Sequence, residues 1–203
     1  MRTILCILLA SFLFSSALSG QVVIKTPSGY QVKTPGGKIL VAPRPLTIGD
    51  SYQGGKVAYI LQSGDPGYDA NVKHGLIAAP SDQSSGGWGC SGTTMTGADG
   101  NAIGTGNQNT IDIEAGCTTV GTAADICANL SLNTYTDWYL PSKDELNKLY
   151  INKTAIGGFA SAAYYWSSSE ESSSAAWCQY FGNGYQGNFS KLDYYYVRAV
   201  RAF

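Results

Sequence analysis

The sequence has 203 residues, a length that suits one domain with a buried core and a short additional segment. Charged residues make up only 13% of the chain, and 13 Lys and Arg are balanced by 14 Asp and Glu, so we expect no nucleic-acid partner. The 44% of hydrophobic residues exclude a disordered chain, and the low charge predicts a surface of Ser, Thr, Asn, Gly and Tyr.

The first twenty residues have the pattern of a secretory signal peptide. Arg2 precedes an apolar run at residues 4–14, and a cleavage site follows at residues 17–19. Serines interrupt the run before it could span a membrane. We therefore predict cleavage after Ser19 or Gly20, no transmembrane segment, and a protein that is secreted or attached to the cell surface.

Residues 21–46 are predicted to form a β-rich leader. Two near-repeats of eight residues, KTPSGYQV at 25–32 and KTPGGKIL at 33–40, each place a Pro-x-Gly turn before a short extended stretch. Two copies are too few for a solenoid, which buries its core only by stacking several units. The remaining residues, 47–203, are predicted to form the main, ligand-binding domain.

The main domain is predicted to be α+β, with short antiparallel strands and two short helices. Apolar runs between Gly, Asn and Ser turns predict strands at 56–62, 75–79, 164–167, 175–181 and 194–203. One helix is expected to begin after Thr122 and to run to Leu130, and the second after Ser142, whose partner in a capping box is Glu145. Residues 81–116, with nine glycines, are predicted to be a long polar loop.

Four cysteines remain once the signal peptide is removed, and an even number is typical of disulfides in exported proteins. They allow three pairings, among which their spacing alone does not choose. Because an open loop of this length has a high chain entropy, we predict that Cys90 and Cys117 form a disulfide that closes it. Cys127 is then expected to be buried on the first helix.

Two tryptophans are assigned to the core, Trp166 and Trp177. Neighbouring side chains of a strand point to opposite faces, so an inward Trp177 places Cys178 near the surface as a free thiol.

Residue patterns that carry catalysis or bind metal are sparse. The chain has a single histidine, His74, and no Gly-x-Ser-x-Gly nucleophile elbow for which it could act as the base. The adjacent Glu170 and Glu171 would point to opposite faces of a strand, so they would not flank one glycosidic bond. Asp65 and Asp69 could offer oxygens to calcium, but turn formation explains them equally well. We therefore expect a protein that is not an enzyme and uses no cofactor and no metal.

The C-terminal region favours ligand binding. Seven of the fourteen tyrosines lie between Tyr164 and Phe203, interleaved with Ser, Asn, Gly and Gln. Such a mixture combines rigid aromatic contact area with adaptable hydrogen bonds, although the tyrosines could instead pack on short strands. We predict binding through the loops at 183–194, with these aromatic platforms and polar contacts: Tyr185, Tyr194, Asn183, Gln186, Asn188, Lys191 and Asp193.

Several short motifs occur together in one order: YQGG at 52–55, GDPGYD at 64–69, HGLIA at 74–78, DWYLPSKDEL at 137–146, YWSSSE at 165–170 and YVRAVR at 196–201. Over about residues 48–203, this set resembles the Lcl C-terminal domain, a bacterial family named after a collagen-like surface adhesin. The family is itself similar to the C-type lectin fold and to the formylglycine-generating enzymes.

The resemblance implies a C-type-lectin-like fold and an exported module that binds an extracellular glycan or protein ligand. The adhesin for which the family is named implies glycosaminoglycan or host-matrix ligands. Two alternatives stay open. One is an oxidase related to the formylglycine-generating enzymes, which hold copper with a cysteine pair, whereas Cys178 has no evident partner. The other is a structural component of a surface assembly, attached through the leader; the sequence leaves the oligomeric state open.

Overall fold

The structure is a computed structural model that describes residues 22–26, 29–33 and 36–203. The signal peptide predicted at residues 1–20 lies outside them. The described residues divide into two compact units, one before and one after the boundary between Pro45 and Leu46.

The first unit contains one antiparallel sheet of three strands in the order β1-β2-β3. The strands are β1 (Val22–Thr26), β2 (Gly29–Lys33) and β3 (Ile39–Pro43). Gly37 lies between β2 and β3 with a φ of 78°, a conformation that favours glycine. These strands fall within the segment whose near-repeats predict β structure.

The second unit mixes helices with antiparallel strands, so the predicted α+β class is confirmed. One sheet has the order β10-β6-β5-β4 and the other β7-β8-β9. Their strands are β4 (Ser51–Tyr52), β5 (Gly55–Ile60), β6 (Gly75–Ala78), β7 (Tyr164–Glu170), β8 (Ala175–Tyr180), β9 (Gln186–Ser190) and β10 (Val200–Ala202). The helices are α1 (Gly106–Gly116), α2 (Ala123–Ala128), α3 (Lys143–Ile151) and α4 (Lys153–Ile156).

The described residues form four helices, whereas the sequence predicted two. The largest omission is α1, which occupies the end of the predicted polar loop. Its buried positions are Gly106, Asn109, Thr110 and Ile113, which have helical spacing but only one large apolar side chain. The sequence of α1 therefore lacks the hydrophobic periodicity by which an amphipathic helix is predicted.

The C-terminal strands also differ from the prediction. The strand expected at 194–203 is present only as β10, because residues 191–199 run as an irregular segment between the two sheets. Strand β9 lies within the predicted binding loops, and its sequence, QGNFS, contains few residues that favour strands. Pairing with β8 over five residue pairs stabilises it instead.

Strand β8 is oriented opposite to the prediction. Trp166 is fully buried, as predicted, but Trp177 is only partly buried, and the Nζ of Lys143 lies 3.5 Å from the centre of its ring. Cys178 consequently points into the core and is 1% exposed, so its expected position near the surface was wrong. Cys127 is buried on α2, as predicted. The alternation of side chains along a strand correctly places Trp177 and Cys178 on opposite faces of β8, but it does not determine which face packs against the core.

The predicted capping box at the start of α3 is present. The Ser142 Oγ accepts a hydrogen bond from the Glu145 backbone N (3.3 Å), and Glu145 Oε2 accepts one from the Ser142 N (2.8 Å). The other carboxylate oxygen, Oε1, accepts from the Gly104 N (2.8 Å), so Glu145 joins α3 to the preceding loop. Burial raises the pKa of the Glu145 carboxyl, while these hydrogen bonds oppose the shift.

Replacing this cap should lower stability without affecting ligand binding. Ser142 is fully buried, and its Oγ also donates to the Ala102 carbonyl (2.9 Å). Ser142→Ala removes this bond and leaves the buried Glu145 N without its acceptor, which should cost about 1 to 2 kcal/mol. Denaturant unfolding measures this loss, and the exposed Ser161→Ala is the matched control. Normal stability combined with lost binding would instead make the segment functional.

Candidate functional site

Cys90 and Cys117 form the disulfide that the sequence predicted, with their Cα atoms 5.7 Å apart. The segment between them is anchored by more than this bond, because Met95 and Ala98 are buried in the core with the preceding Trp88. The Trp88 indole Nε1 donates to the Ser167 carbonyl of β7 (2.8 Å). The glycine-rich segment is therefore a packed part of the domain.

The disulfide borders a cleft of about 300 Å³, which we call the disulfide cleft. Three parts of the chain meet there, at residues 87–91, 119–122 and 191–194. The backbone holds them together: the Trp88 N donates to the Lys191 carbonyl (3.0 Å), and the Ala123 N at the start of α2 donates to the Gly87 carbonyl (2.9 Å).

The cleft is surrounded by an unusual set of exposed apolar side chains. Val120 is 83% exposed, Tyr194 76% and Leu192 70%, and these are the three most exposed large hydrophobic side chains of residues 46–203. All three line the disulfide cleft. Single exposed apolar residues are common on soluble proteins, but a cluster of them marks an interaction site.

Lys191 forms the base of the cleft and does not offer its charge to the surface. The side chain is 1% exposed, and its Nζ forms an ion pair with Glu170 and donates to the Thr93 carbonyl (2.9 Å). Both Glu170 carboxylate oxygens also accept from the Met95 N (2.9 and 3.0 Å). Lys191 was predicted to contact ligand, but its burial gives it a structural role.

The other predicted ligand contacts do not form one surface. Asn183 and Tyr185 lie in the β8–β9 turn, whereas Tyr194 follows the far end of β9. The five residues of β9, a strand of roughly 15 Å, and the turn after it separate the two proposed aromatic platforms along the chain. Asp193 is partly buried and accepts a hydrogen bond from the Tyr195 hydroxyl (3.2 Å).

Gln186 and Asn188 lie along β9 on the same face as Trp177. Asn188 is exposed and directly opposite Trp177 on β8, and the Gln186 Nε2 donates to the Lys143 carbonyl (3.0 Å). This face combines an aromatic ring with side-chain amides.

Val120 and Leu192 were not among the predicted contacts. Each is a single apolar residue within a polar stretch, TTVGT at 118–122 and SKLDY at 190–194, so no periodic pattern signals either one. Only the meeting of the two segments in space makes the cluster visible.

The two free thiols are poorly suited to chemistry. Burial raises the pKa of the Cys178 thiol to about 12, with a smaller contribution from Asp193, and raises that of Cys127 well above its usual value. Both are therefore protonated near neutral pH, and a protonated thiol is a poor nucleophile and metal ligand.

Among the residues that the structure describes, no group of three or more His, Cys, Asp and Glu side chains is arranged to hold a metal ion. No helix in the same residues is both long and apolar enough to cross a membrane.

Comparisons with known proteins give one family and a distant structural neighbour. The family model of the Lcl C-terminal domain matches residues 88–201, which include the disulfide and most of the cleft. The crystal structure of a fimbrial protein from Bacteroides ovatus ATCC 8483 is similar, with a TM-score of 0.46 and 19% identity. The match covers 81% of this chain but only 46% of the fimbrial protein. No curated protein matches at a significant level.

Proposed function

Because the chain belongs to the Lcl C-terminal domain family, we propose that it is an exported, non-catalytic module that binds a ligand outside the cell. The disulfide between Cys90 and Cys117 supports export, since disulfides persist in oxidising compartments. We propose a C-type-lectin-like fold for residues 47–203 on the same family relationship. The protonated, buried thiols of Cys127 and Cys178 support the absence of thiol chemistry of the oxidase type.

The proposed binding site is the disulfide cleft, and the exposed cluster of Val120, Leu192 and Tyr194 is the observation that carries it. Apolar side chains exposed to this extent gain free energy when a partner removes them from water. The one basic residue that lines the cleft, Lys191, is neutralised by Glu170. The cleft therefore favours an extracellular protein with an uncharged, apolar contact surface.

A glycan is the second candidate ligand, and a different surface favours it. Trp177, Gln186 and Asn188 share one face of the β8–β9 pair, where an aromatic ring lies beside amide groups that both donate and accept hydrogen bonds. We place a glycan there and a protein ligand at the disulfide cleft.

Tyr194→Ala should weaken ligand binding while the fold stays intact. A glycan and matrix-protein array run with the full chain supplies the ligand, and titration then compares the variants. We expect a protein ligand and a loss of about 1 to 3 kcal/mol in binding free energy, because Tyr194 is a rigid aromatic contact beside the cleft. Tyr185→Ala is the matched control, since Tyr185 is also exposed but lies at the other end of β9.

Three outcomes distinguish the candidates. A loss at Tyr194 with normal binding at Tyr185 supports the disulfide cleft. A glycan ligand whose binding depends on Asn188 but not on Tyr194 would move the site to the β8–β9 face. If Tyr194→Ala binds the ligand normally, or melts much earlier than the unsubstituted protein, the cleft is not the binding site.

A further inference from the structure

Strand β9 is an edge strand, and hydrogen bonds at its two ends show which of its residues point away from the sheet. The Lys191 N donates to the Ser174 carbonyl (2.9 Å), and the Tyr180 N donates to the Tyr185 carbonyl (2.8 Å). Both pairs continue the antiparallel register of β8 with β9. Hydrogen-bonded pairs recur at every second residue of such a ladder, so the residues between them direct their backbone groups outward.

The outward backbone groups are the N–H and C=O of Gln186, the N–H and C=O of Asn188, and the N–H of Ser190. Within the described part of the chain, these five groups make no hydrogen bond. The Ser190 carbonyl accepts from the Asp193 N (2.9 Å), so the free edge ends at that point. Backbone donors and acceptors arranged in this way form a template for another strand.

Strand β9 also lacks the features that usually protect an edge from pairing. Its sequence, QGNFS, contains no charged residue and no proline, and its register with β8 continues over five pairs without a bulge. Natural sheets commonly use a lysine, a proline or a bulge at an exposed edge to prevent association. An open and unprotected edge is therefore a candidate interface.

We propose that β9 is a dimer interface at which a second copy of this chain adds its own β9 in antiparallel orientation. A two-fold axis at Gly187 places Asn188 of each copy opposite Gln186 of the other. Each of these two pairs exchanges two backbone hydrogen bonds, so four bonds join the copies and the two three-stranded sheets become one of six strands.

The chemistry of the edge favours a second copy as the occupant. Asn188 and Gln186 carry amide side chains, each of which donates and accepts hydrogen bonds, so an identical strand is complementary to it. No charge lies on β9, so the two paired strands themselves contribute no repulsion between like charges. The interface uses neither Val120, Leu192 nor Tyr194, so this proposal is independent of ligand binding at the disulfide cleft.

Two substitutions at one position test the interface. Asn188→Lys places like charges near the two-fold axis, and Asn188→Pro removes an outward N–H that does not bond to β8. Ser161→Lys is the control, since Ser161 is exposed and lies outside β9. Sedimentation equilibrium of the full chain should show a monomer that becomes a dimer as concentration rises. Both Asn188 variants should raise the dissociation constant at least tenfold, and the control should leave it unchanged.

Hydrogen exchange shows whether β9 is the part of the chain that associates, and thermal melting shows whether the variants stay folded. The amide protons of Gln186 and Asn188 should exchange more slowly as protein concentration rises. At dilutions where every protein is monomeric, each variant should melt close to the unsubstituted chain. A chain that stays monomeric up to millimolar concentration overturns the proposal. A dimer that forms equally well in both Asn188 variants, or that leaves exchange at Gln186 and Asn188 unchanged, overturns it as well.

Discussion

Lys191→Ala is expected to destabilise the protein by about 3 to 5 kcal/mol, because it leaves the Glu170 carboxylate buried without its cation. Glu170 and Lys191 are both nearly inaccessible to solvent, and their ion pair joins the end of β7 to the segment after β9. The Lys191 Nζ also donates to the Thr93 carbonyl, so its loss removes one of the contacts that hold the disulfide loop against the base of the cleft. Urea unfolding monitored by tryptophan fluorescence measures the change.

The charge and the volume of Lys191 can be separated by further variants. Lys191→Met keeps most of the aliphatic chain but removes the charge, so it should also be strongly destabilising. Adding Glu170→Gln to Lys191→Met should recover part of the loss, because the buried carboxylate is removed as well. Lys73→Ala, at an exposed position, should leave unfolding unchanged. Equal stability of the Lys191→Ala and Lys73→Ala proteins would contradict the proposed structural role.

Removing the disulfide is expected to have a similarly large effect. Cys90 and Cys117 are 27 residues apart in sequence. Opening a loop of that length increases the entropy of the unfolded chain, which lowers the free energy of the unfolded state by about 3 to 4 kcal/mol at room temperature. The Cys90→Ser, Cys117→Ser double variant should lose about that amount of stability. It should still fold, since Trp88 and Met95 keep their places in the core.

Reduction provides the matched comparison for this prediction. A reductant should lower the stability of the unsubstituted protein to about that of the double variant and leave the double variant itself unchanged. Replacing the free thiol of Cys127 or Cys178 should not alter the response to reductant, because neither is bonded. If the double variant unfolds at the same denaturant concentration as the unsubstituted protein, the disulfide does not contribute to stability.

Features that depend on a few neighbouring residues could be predicted from the sequence. The capping box of Ser142 and Glu145 spans three positions, and the apolar runs that become β5 and β6 lie between glycines and prolines. The disulfide followed from the length of the glycine-rich segment that it closes. Such features are set by local hydrogen bonds, backbone preferences and chain entropy, which act over short distances or on one loop.

The tertiary structure alone decided which side chains are inside and which form the site. Trp177 and Cys178 alternate as the sequence requires, but packing against the core turned Cys178 inward. Lys191 lies in a polar stretch of sequence typical of a loop, but in the fold it forms a buried ion pair with Glu170, 21 positions away. The same is true of the disulfide cleft, whose Val120 and Leu192 come from distant segments. These outcomes depend on contacts between residues far apart in sequence, and no local pattern specifies such contacts.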